Sequence, residues 1–260
     1  MFNLKNKNIL ITGATGYLGK EMAIALAKQG ATVFINSRSK TNAQELVNDI
    51  KNNGFKAIEA SFDITNNESI ESWIKKLKTN RFHGLINNAY SGKPGSIETS
   101  NEDDFRSSYE ITVVSAQKLF KSLLPFFREA TSRQELVSII NVSSMYGFVS
   151  PDLKVYKEKK LANPPFYGAS KAALHQWSKY GACEFSSEGI RFNTLSPGPF
   201  PNKEVQEKNP EFIHKLANKV PMGRVGRSNE IGGPVVFLIS DESSFINGAN
   251  LEVNGGWTCW

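Results

Sequence analysis

A chain of 260 residues, 40% hydrophobic and 22% charged, has room for one well-buried core and the composition of an ordinary globular protein. No apolar run reaches the length of a membrane span, and the opening Met1-Phe2-Asn3-Leu4-Lys5-Asn6-Lys7 is too polar for a secretory leader. The formal net charge of +6 arises from basic residues mixed with acids, and the densest clusters, Lys75 to Lys78 and Lys157 to Lys160, lack interleaved aromatics, so neither nucleic acid nor a membrane is an expected partner.

Asn8 to Thr12 is an apolar run that predicts a first strand. Tyr17 to Gln29 predicts a helix with Leu18, Met22, Ala25 and Leu26 on one face and Gly30 as its stop. Ala31 to Asn36 predicts a second strand, Thr41 to Asn52 a polar helix, Ala57 to Phe62 a third strand closed by Asp63, and Gly84 to Asn87 a fourth. Glu102 to Arg128 reads as one long helix, Leu136 to Val142 as a strongly apolar fifth strand, Phe166 to Ser187 as a helix and Ile190 to Leu195 as a sixth strand. Ser228 is placed to cap a helix reaching Leu238, ahead of a last strand at Asn250 to Val253. Strands alternating with helices imply right-handed crossovers and a parallel sheet covered on both faces. No repeat or linker divides the chain, so residues 1–260 are expected to form a single α/β domain with a doubly wound parallel sheet.

Three groups of residues carry chemistry. The turn Thr12-Gly13-Ala14-Thr15-Gly16-Tyr17-Leu18-Gly19 follows a strand and opens a helix. In that position Gly13, Gly16 and Gly19 let the backbone approach a pyrophosphate, and the helix N-terminus offers unpaired N–H groups, which makes Gly13, Thr15, Gly16, Tyr17, Leu18 and Gly19 candidate dinucleotide contacts. The second strand ends in Asn36-Ser37-Arg38-Ser39, with Ser37 where an acid would bind a ribose 2′-OH and Arg38 able to pair with a 2′-phosphate. This favours NADP(H), with NAD(H) as the alternative and a solvated loop charge as the other reading of Arg38. Finally, Tyr167 and Lys171 are spaced to share one helix face. A free phenol, with a pKa of about 10, is a poor acid-base catalyst near neutrality, and a neighbouring ammonium lowers that value. Ser144, at the end of the fifth strand, is placed to hydrogen-bond a substrate oxygen, with Ser143 as the alternative.

Taken in sequence order, the glycine turn, Asn87-Asn88-Ala89, Ser143-Ser144 and Tyr167-Gly168-Ala169-Ser170-Lys171 resemble the short-chain dehydrogenase/reductase family from Asn8 to Trp257. The resemblance implies a Rossmann fold, a ketone/alcohol oxidoreductase activity and assembly as a homodimer or homotetramer. It implies that Asp63 and Ile64 flank the adenine, that Asn87 and Ala89 line the cofactor, that Lys171 also holds the nicotinamide ribose, and that Pro197 and Gly198 face the nicotinamide. The chain departs from the family pattern in four places. Its glycines are spaced Gly-x-x-Gly-x-x-Gly, Tyr90 stands where a glycine is usual, no threonine follows Pro197-Gly198 closely, and Thr112 occupies the position of the asparagine in the family's catalytic tetrad.

The stretch between Ser144 and Tyr167 is longer than in many reductases of the family. The extra segment, 148–165, is expected at the mouth of the active site, where Asp152, Lys154, Tyr156 and Lys157 either meet a polar substrate or only pack on neighbours. This segment and the closing Gly255-Gly256-Trp257-Thr258-Cys259-Trp260 resemble bacterial reductases of surface-glycan and flagellin-modification pathways. A sugar or sugar-nucleotide derivative is therefore the expected small-molecule substrate, a 3-oxoacyl thioester the alternative, and a cofactor-binding sensor or assembly subunit the reading from a different class. His83, His175 and His214 share no ligand spacing, so no metal is expected. The two cysteines, Cys183 and Cys259, fit a reducing cytoplasm.

Overall fold

The computed structural model describes residues 1–259, and Trp260 of the closing motif lies outside them. Seven parallel strands form one sheet in the order β3-β2-β1-β4-β5-β6-β7: β1 (Asn8–Ile11), β2 (Thr32–Ser37), β3 (Lys56–Ser61), β4 (Gly84–Asn87), β5 (Val137–Val142), β6 (Ile190–Pro197) and β7 (Asn250–Val253). Every residue of β4, β5 and β6 is buried, as a strand covered on both faces requires. The chain reverses its winding direction between β1 and β4, which opens a crevice at the carboxyl ends of the strands.

Helices α1 (Tyr17–Lys28), α2 (Lys40–Asn52) and α9 (Gly232–Ile239) cover one face. Met22, Ala23, Leu26 and Ala27 of α1 recur at the three- and four-residue spacing of a helical stripe and pack there with Val235 and Ile239. Helices α3 (Asn67–Ile74), α5 (Ser115–Thr131) and α6 (Pro165–Phe185) bury Trp73, Leu119, Phe120, Leu123, Phe127 and Ala182 against the other. The sheet and its two layers form the single doubly wound domain read from the alternation of strands and helices. No helix among the described residues is long and apolar enough to cross a membrane.

Four local expectations change. The stretch Glu102 to Arg128 is α4 (Glu102–Tyr109), a π-turn at Glu110–Val114 and then α5, which accommodates Pro125 and runs on to Thr131. Ser228 does not cap a helix; it opens a 3₁₀ turn, Ser228–Ile231, whose N-terminal N–H, that of Arg227, donates to the Glu230 carboxylate at 2.8 Å. Helix α3 adds an element, capped by the Asn66 side chain accepting from Ser69 N. Helices α7 (Lys203–Lys208) and α8 (Pro210–Ala217) likewise appear in a stretch that carries few buried residues.

His83 is sealed into the start of β4 at 2% exposure. Its Nδ1 accepts from Asn8 N at 2.9 Å and its Nε2 pairs with Glu135 at 2.9 Å, an arrangement that needs the neutral ring. Burial lowers its pKa below the ordinary value, outweighing the Glu135 carboxylate that raises it. The neutral form therefore contributes stability above about pH 6.5 that is lost as the pH falls through the folded-state pKa. On going from about pH 7 to about pH 5, the wild type should lose up to ~1–3 kcal/mol, the cost of stranding the Asn8 N–H. A His83→Gln variant should lack that step in urea midpoints, and parallel curves for the two proteins would show that His83 does not titrate on folding.

Candidate active site

The glycine turn leaves β1 and folds over the end of β4. Gly13 has φ +61°, and a β-carbon there would stand 2.8 Å from Ala89 Cα, so no larger residue is accommodated. Gly19 lies so close to the Gly13 carbonyl oxygen that a β-carbon would overlap it. Helix α1 begins at Tyr17 with Gly16 as its N-cap and no side chain closing it, which leaves its first N–H groups available to an anion. Thr12 Oγ1 receives Asn88 N at 2.9 Å and Ala89 N at 3.1 Å, and Asn88 Nδ2 donates to Thr12 O and Gly13 O. Asn88 therefore braces the turn.

A cavity of about 410 Å³ runs along this turn. Gly13, Thr15, Gly16, Tyr17, Leu18, Gly19, Ser37, Arg38, Asp63, Ile64 and Ala89, candidate cofactor contacts in the sequence, all line it. Arg38 is exposed at its rim, while Thr15 Oγ1 donates to Ser37 Oγ at 3.3 Å. Burial pushes the Asp63 carboxyl up, but hydrogen bonds from Thr65 N and Thr65 Oγ1 and the nearby Arg38 charge outweigh it and leave its pKa below the ordinary value. Tyr90, Ser91, Thr65 and Ile111 also line the cavity. Sequence patterns miss the last three because they carry no motif.

Asn87 takes a different place. Its Nδ2 donates to Asn141 Oδ1 at 2.8 Å, and it lines a separate chamber of about 10 Å³, room for one water, with Thr12, Thr112, Ser115 and Lys171. Thr112 sits in the π-turn, where its Oγ1 donates to Ser170 Oγ at 3.4 Å. It faces the Lys171 chamber without reaching Lys171 by a hydrogen bond. Pro197 ends β6 and Gly198 follows it, both outside the lining of the large cavity, and Gly198 is needed because Asn254 Cα would stand 2.6 Å from a β-carbon there.

Helix α6 packs against the turn after β5. Gly147 and Gly168 allow this approach: a β-carbon at Gly168 would lie 2.7 Å from Tyr146 O, and one at Gly147 would lie 3.2 Å from the Lys171 backbone. Ser143 Oγ donates to Lys171 O at 3.1 Å, which makes it part of the scaffold. Ser144, its side chain accepting from Tyr146 N at 3.1 Å, is the serine that acts on the Tyr167 phenol. Lys171 is 3% exposed; its Nζ donates to Val142 O at 2.6 Å and lies 5.6 Å from the Tyr167 ring centroid.

Electrostatics here follow burial. Burial pushes the Tyr167 phenol up to about 12, with the Ser144 hydroxyl acting in the opposite sense and Tyr90 in the same one. Burial brings the Lys171 ammonium down to about 7. The expectation that Lys171 lowers the phenol's pKa therefore gives way to a resting state with a protonated phenol and a lysine partly neutral at physiological pH. Desolvation is the largest influence on both groups.

The segment 148–165 packs on α8. Asp152 forms an ion pair with Lys219 at 2.7 Å, the Tyr156 ring packs tilted at 45° against Phe212 with centroids 5.5 Å apart, and its hydroxyl lies 3.4 Å from that of Tyr146. Val155, Met145, Leu216, Val220 and Trp257 form a small core beneath. Two of the four residues considered for substrate contact, Asp152 and Tyr156, are thus engaged with their neighbours, while Lys154 and Lys157 are exposed.

A phosphate-ready glycine turn on β1 and a Ser-Tyr-Lys group delivered by β5 and α6 of the same sheet are the architecture of one class of oxidoreductase, and sequence comparison gives the same answer. A family model described as enoyl-(acyl carrier protein) reductase matches residues 13–258. The 3-oxoacyl-[acyl-carrier-protein] reductase FabG of Vibrio cholerae serotype O1 is 32% identical over 98% of this chain and 98% of its own length. The 7alpha-hydroxysteroid dehydrogenase of Paraclostridium sordellii is 30% identical over 99% of this chain and 94% of its own. Among solved structures, a gluconate 5-dehydrogenase from Burkholderia cenocepacia, in complex with NADP and tartrate, superposes with a TM-score of 0.88 at 26% identity, covering 100% of this chain and 98% of that one. The chain belongs to the short-chain dehydrogenase/reductase family of oxidoreductases.

Proposed function

We propose that the protein is an NADP(H)-dependent oxidoreductase that interconverts a ketone and a secondary alcohol. The observation that carries this reading is the convergence of Ser144, Tyr167 and Lys171 beside the glycine-lined cavity, to which Tyr90 connects them by lining the cavity and packing on Tyr167. When bound, the nicotinamide supplies or accepts the hydride. Gly13, Gly16 and Gly19 admit the pyrophosphate to the open end of α1. Asp63 and Ile64 flank the adenine, Ala89 lines the path towards the nicotinamide, and Asn87 supports it from the adjoining chamber. Pro197 and Gly198 face the nicotinamide.

In the reductive direction, Tyr167 donates the proton. With a pKa pushed up to about 12, the phenol holds its proton throughout the physiological range. Its Oη–H passes to the carbonyl oxygen as that oxygen gains negative charge, and the phenolate left behind is stabilised by protonated Lys171. Ser144 donates a hydrogen bond to the same oxygen and orients it. Lys171 also holds the nicotinamide ribose. Thr112 contributes through the chamber it shares with Lys171.

Arg38 is the proposed partner of the 2′-phosphate, because it is exposed on the cavity rim and no acid stands at Ser37. Arg38→Ala should weaken NADPH binding by roughly tenfold to a hundredfold, the loss of a charge-assisted pair, and leave NADH binding within about twofold. Unchanged NADPH affinity by fluorescence titration would make Arg38 a solvated loop charge.

The proposed substrate is a sugar or sugar-nucleotide derivative of the kind used in surface-glycan biosynthesis; likeness to a gluconate 5-dehydrogenase supports a polyhydroxylated substrate. Likeness to FabG proteins supports the second reading, a 3-oxoacyl thioester. The test is NADPH oxidation by the purified protein with keto-sugars, keto-sugar nucleotides and 3-oxoacyl thioesters. Turnover of a sugar supports the first reading, and turnover confined to thioesters overturns it. Tight NADPH binding without turnover on any of them favours a cofactor-binding sensor or assembly subunit.

A further inference from the structure

We propose that Tyr90 is a positioning residue for Tyr167: its ring is the wall that fixes the phenol and the second aromatic surface beside the Lys171 amine. The ring centroids of Tyr90 and Tyr167 are 4.7 Å apart at 73°, an edge-to-face pair. Lys171 Nζ lies 5.5 Å from the Tyr90 centroid and 5.6 Å from that of Tyr167, so the ammonium has two π-systems within cation–π reach of about 6 Å. Tyr90 thus touches both side chains of the proton-transfer pair while also lining the large cavity.

The ring is itself held from three directions. Its backbone follows directly on the clamp in which Asn88 N and Ala89 N donate to Thr12 Oγ1. The chain then folds back over the ring at Gly92, where a β-carbon would stand 2.5 Å from Tyr90 Oη and 3.0 Å from Cζ. Tyr167 packs edge-to-face against it, and the rest of the ring lines the cavity. A side chain held at its backbone, its tip and its ring edge has restricted rotameric freedom and passes that restriction to its neighbour.

The role belongs to the ring and not to the hydroxyl. Tyr90 Oη is buried without a hydrogen-bond partner of good geometry, and burial raises its pKa against the opposing effect of nearby Ser108, whose Oγ donates to Phe166 O at 3.1 Å. Phenylalanine therefore reproduces what matters, and alanine or leucine does not.

The inference rests on the reading of Tyr167 as proton donor, and the experiment separates the two. The protein is labelled with ¹³C in the rings of its 7 tyrosines, and the Tyr167 signal is identified by its loss in Tyr167→Phe. Tyr90→Ala, and Tyr90→Leu as a variant that keeps more of the volume, should broaden or split that signal. On the substrate turned over by the wild type, both should lower kcat by roughly tenfold to a hundredfold with KM within about threefold, the signature of a displaced catalytic group. Tyr90→Phe should restore the single sharp signal and most of kcat. A Tyr167 signal that stays single and sharp in both Tyr90→Ala and Tyr90→Leu overturns the proposal. A broadened signal upholds the positioning even where the wild type turns over none of the panel, an outcome that bears on the catalytic reading of Tyr167 and not on Tyr90.

Discussion

Tyr167→Phe should reduce turnover by roughly 10²–10⁴-fold while NADPH binds within about threefold of the wild type. Phenylalanine keeps the ring that packs against Tyr90 and removes only the group that carries the proton. Ser144 still accepts from Tyr146 N, so the turn after β5 keeps its geometry. What is lost is the phenolic O–H that Tyr167 holds beside Ser144 and Lys171, and a carbonyl gaining charge must then take its proton from water. The readouts are kcat on the best substrate of the panel and NADPH affinity by fluorescence. A variant that keeps kcat within threefold removes Tyr167 as the donor.

Gly19→Ala should weaken NADPH binding by at least ~100-fold and lower the melting temperature by several degrees. The added β-carbon would overlap Gly13 O, stand 2.9 Å from Asn88 Nδ2 and meet Ala14 Cα at 3.0 Å. None of these can retreat cheaply, because Asn88 Nδ2 is tied to Thr12 O and Gly13 O. Relief requires α1 to move away from the turn, which carries its N–H groups off the pyrophosphate position. Overpacking of this kind costs about 1–3 kcal/mol, about 2–12 °C in a chain of this size. Gly233→Ala is the control: it lies within α9, nothing stands within 4 Å of the added carbon, and its φ is not left-handed, so melting and binding should be close to wild type. Equal NADPH affinity for Gly19→Ala and wild type would show that the turn tolerates the displacement.

The sheet was legible because its central strands are buried on both faces and appear in the sequence as short, mostly apolar, β-branched runs, as in Val137-Ser138-Ile139-Ile140-Asn141-Val142. Helix α3 escaped because eight residues with only Ile70 and Trp73 buried leave too short a stripe to detect. The π-turn at Glu110–Val114 preserves the helical pattern on either side and so leaves no mark in periodicity. The start of α9 was misplaced because Ser228 looks like an N-cap, whereas the side chain that satisfies the backbone is that of Glu230.

The residues of the site were legible and their electrostatics were not. Spacing puts Tyr167 and Lys171 on one face, but only packing reveals that Lys171 is 3% exposed and that burial governs both groups. Asn87 looked like a cofactor contact through its neighbours, yet the alternation of side chains along β4 turns it towards Asn141 and the small chamber. Tyr90 stood in the sequence as a departure from the family pattern. Its contact with Tyr167 depends on how the segment after β4 folds back at Gly92, which no local signal encodes.

The central claim is hydride transfer from the nicotinamide to a carbonyl carbon, and its most direct test uses NADPH carrying deuterium at the transferable position. The protein is incubated with the keto-sugar or thioester that supports NADPH oxidation, and the product is analysed by mass spectrometry and NMR. The account predicts a secondary alcohol with one deuterium on the carbinol carbon, formed by the wild type and lost with Tyr167→Phe. An alcohol free of deuterium, or a labelled product formed equally by both proteins, would contradict it.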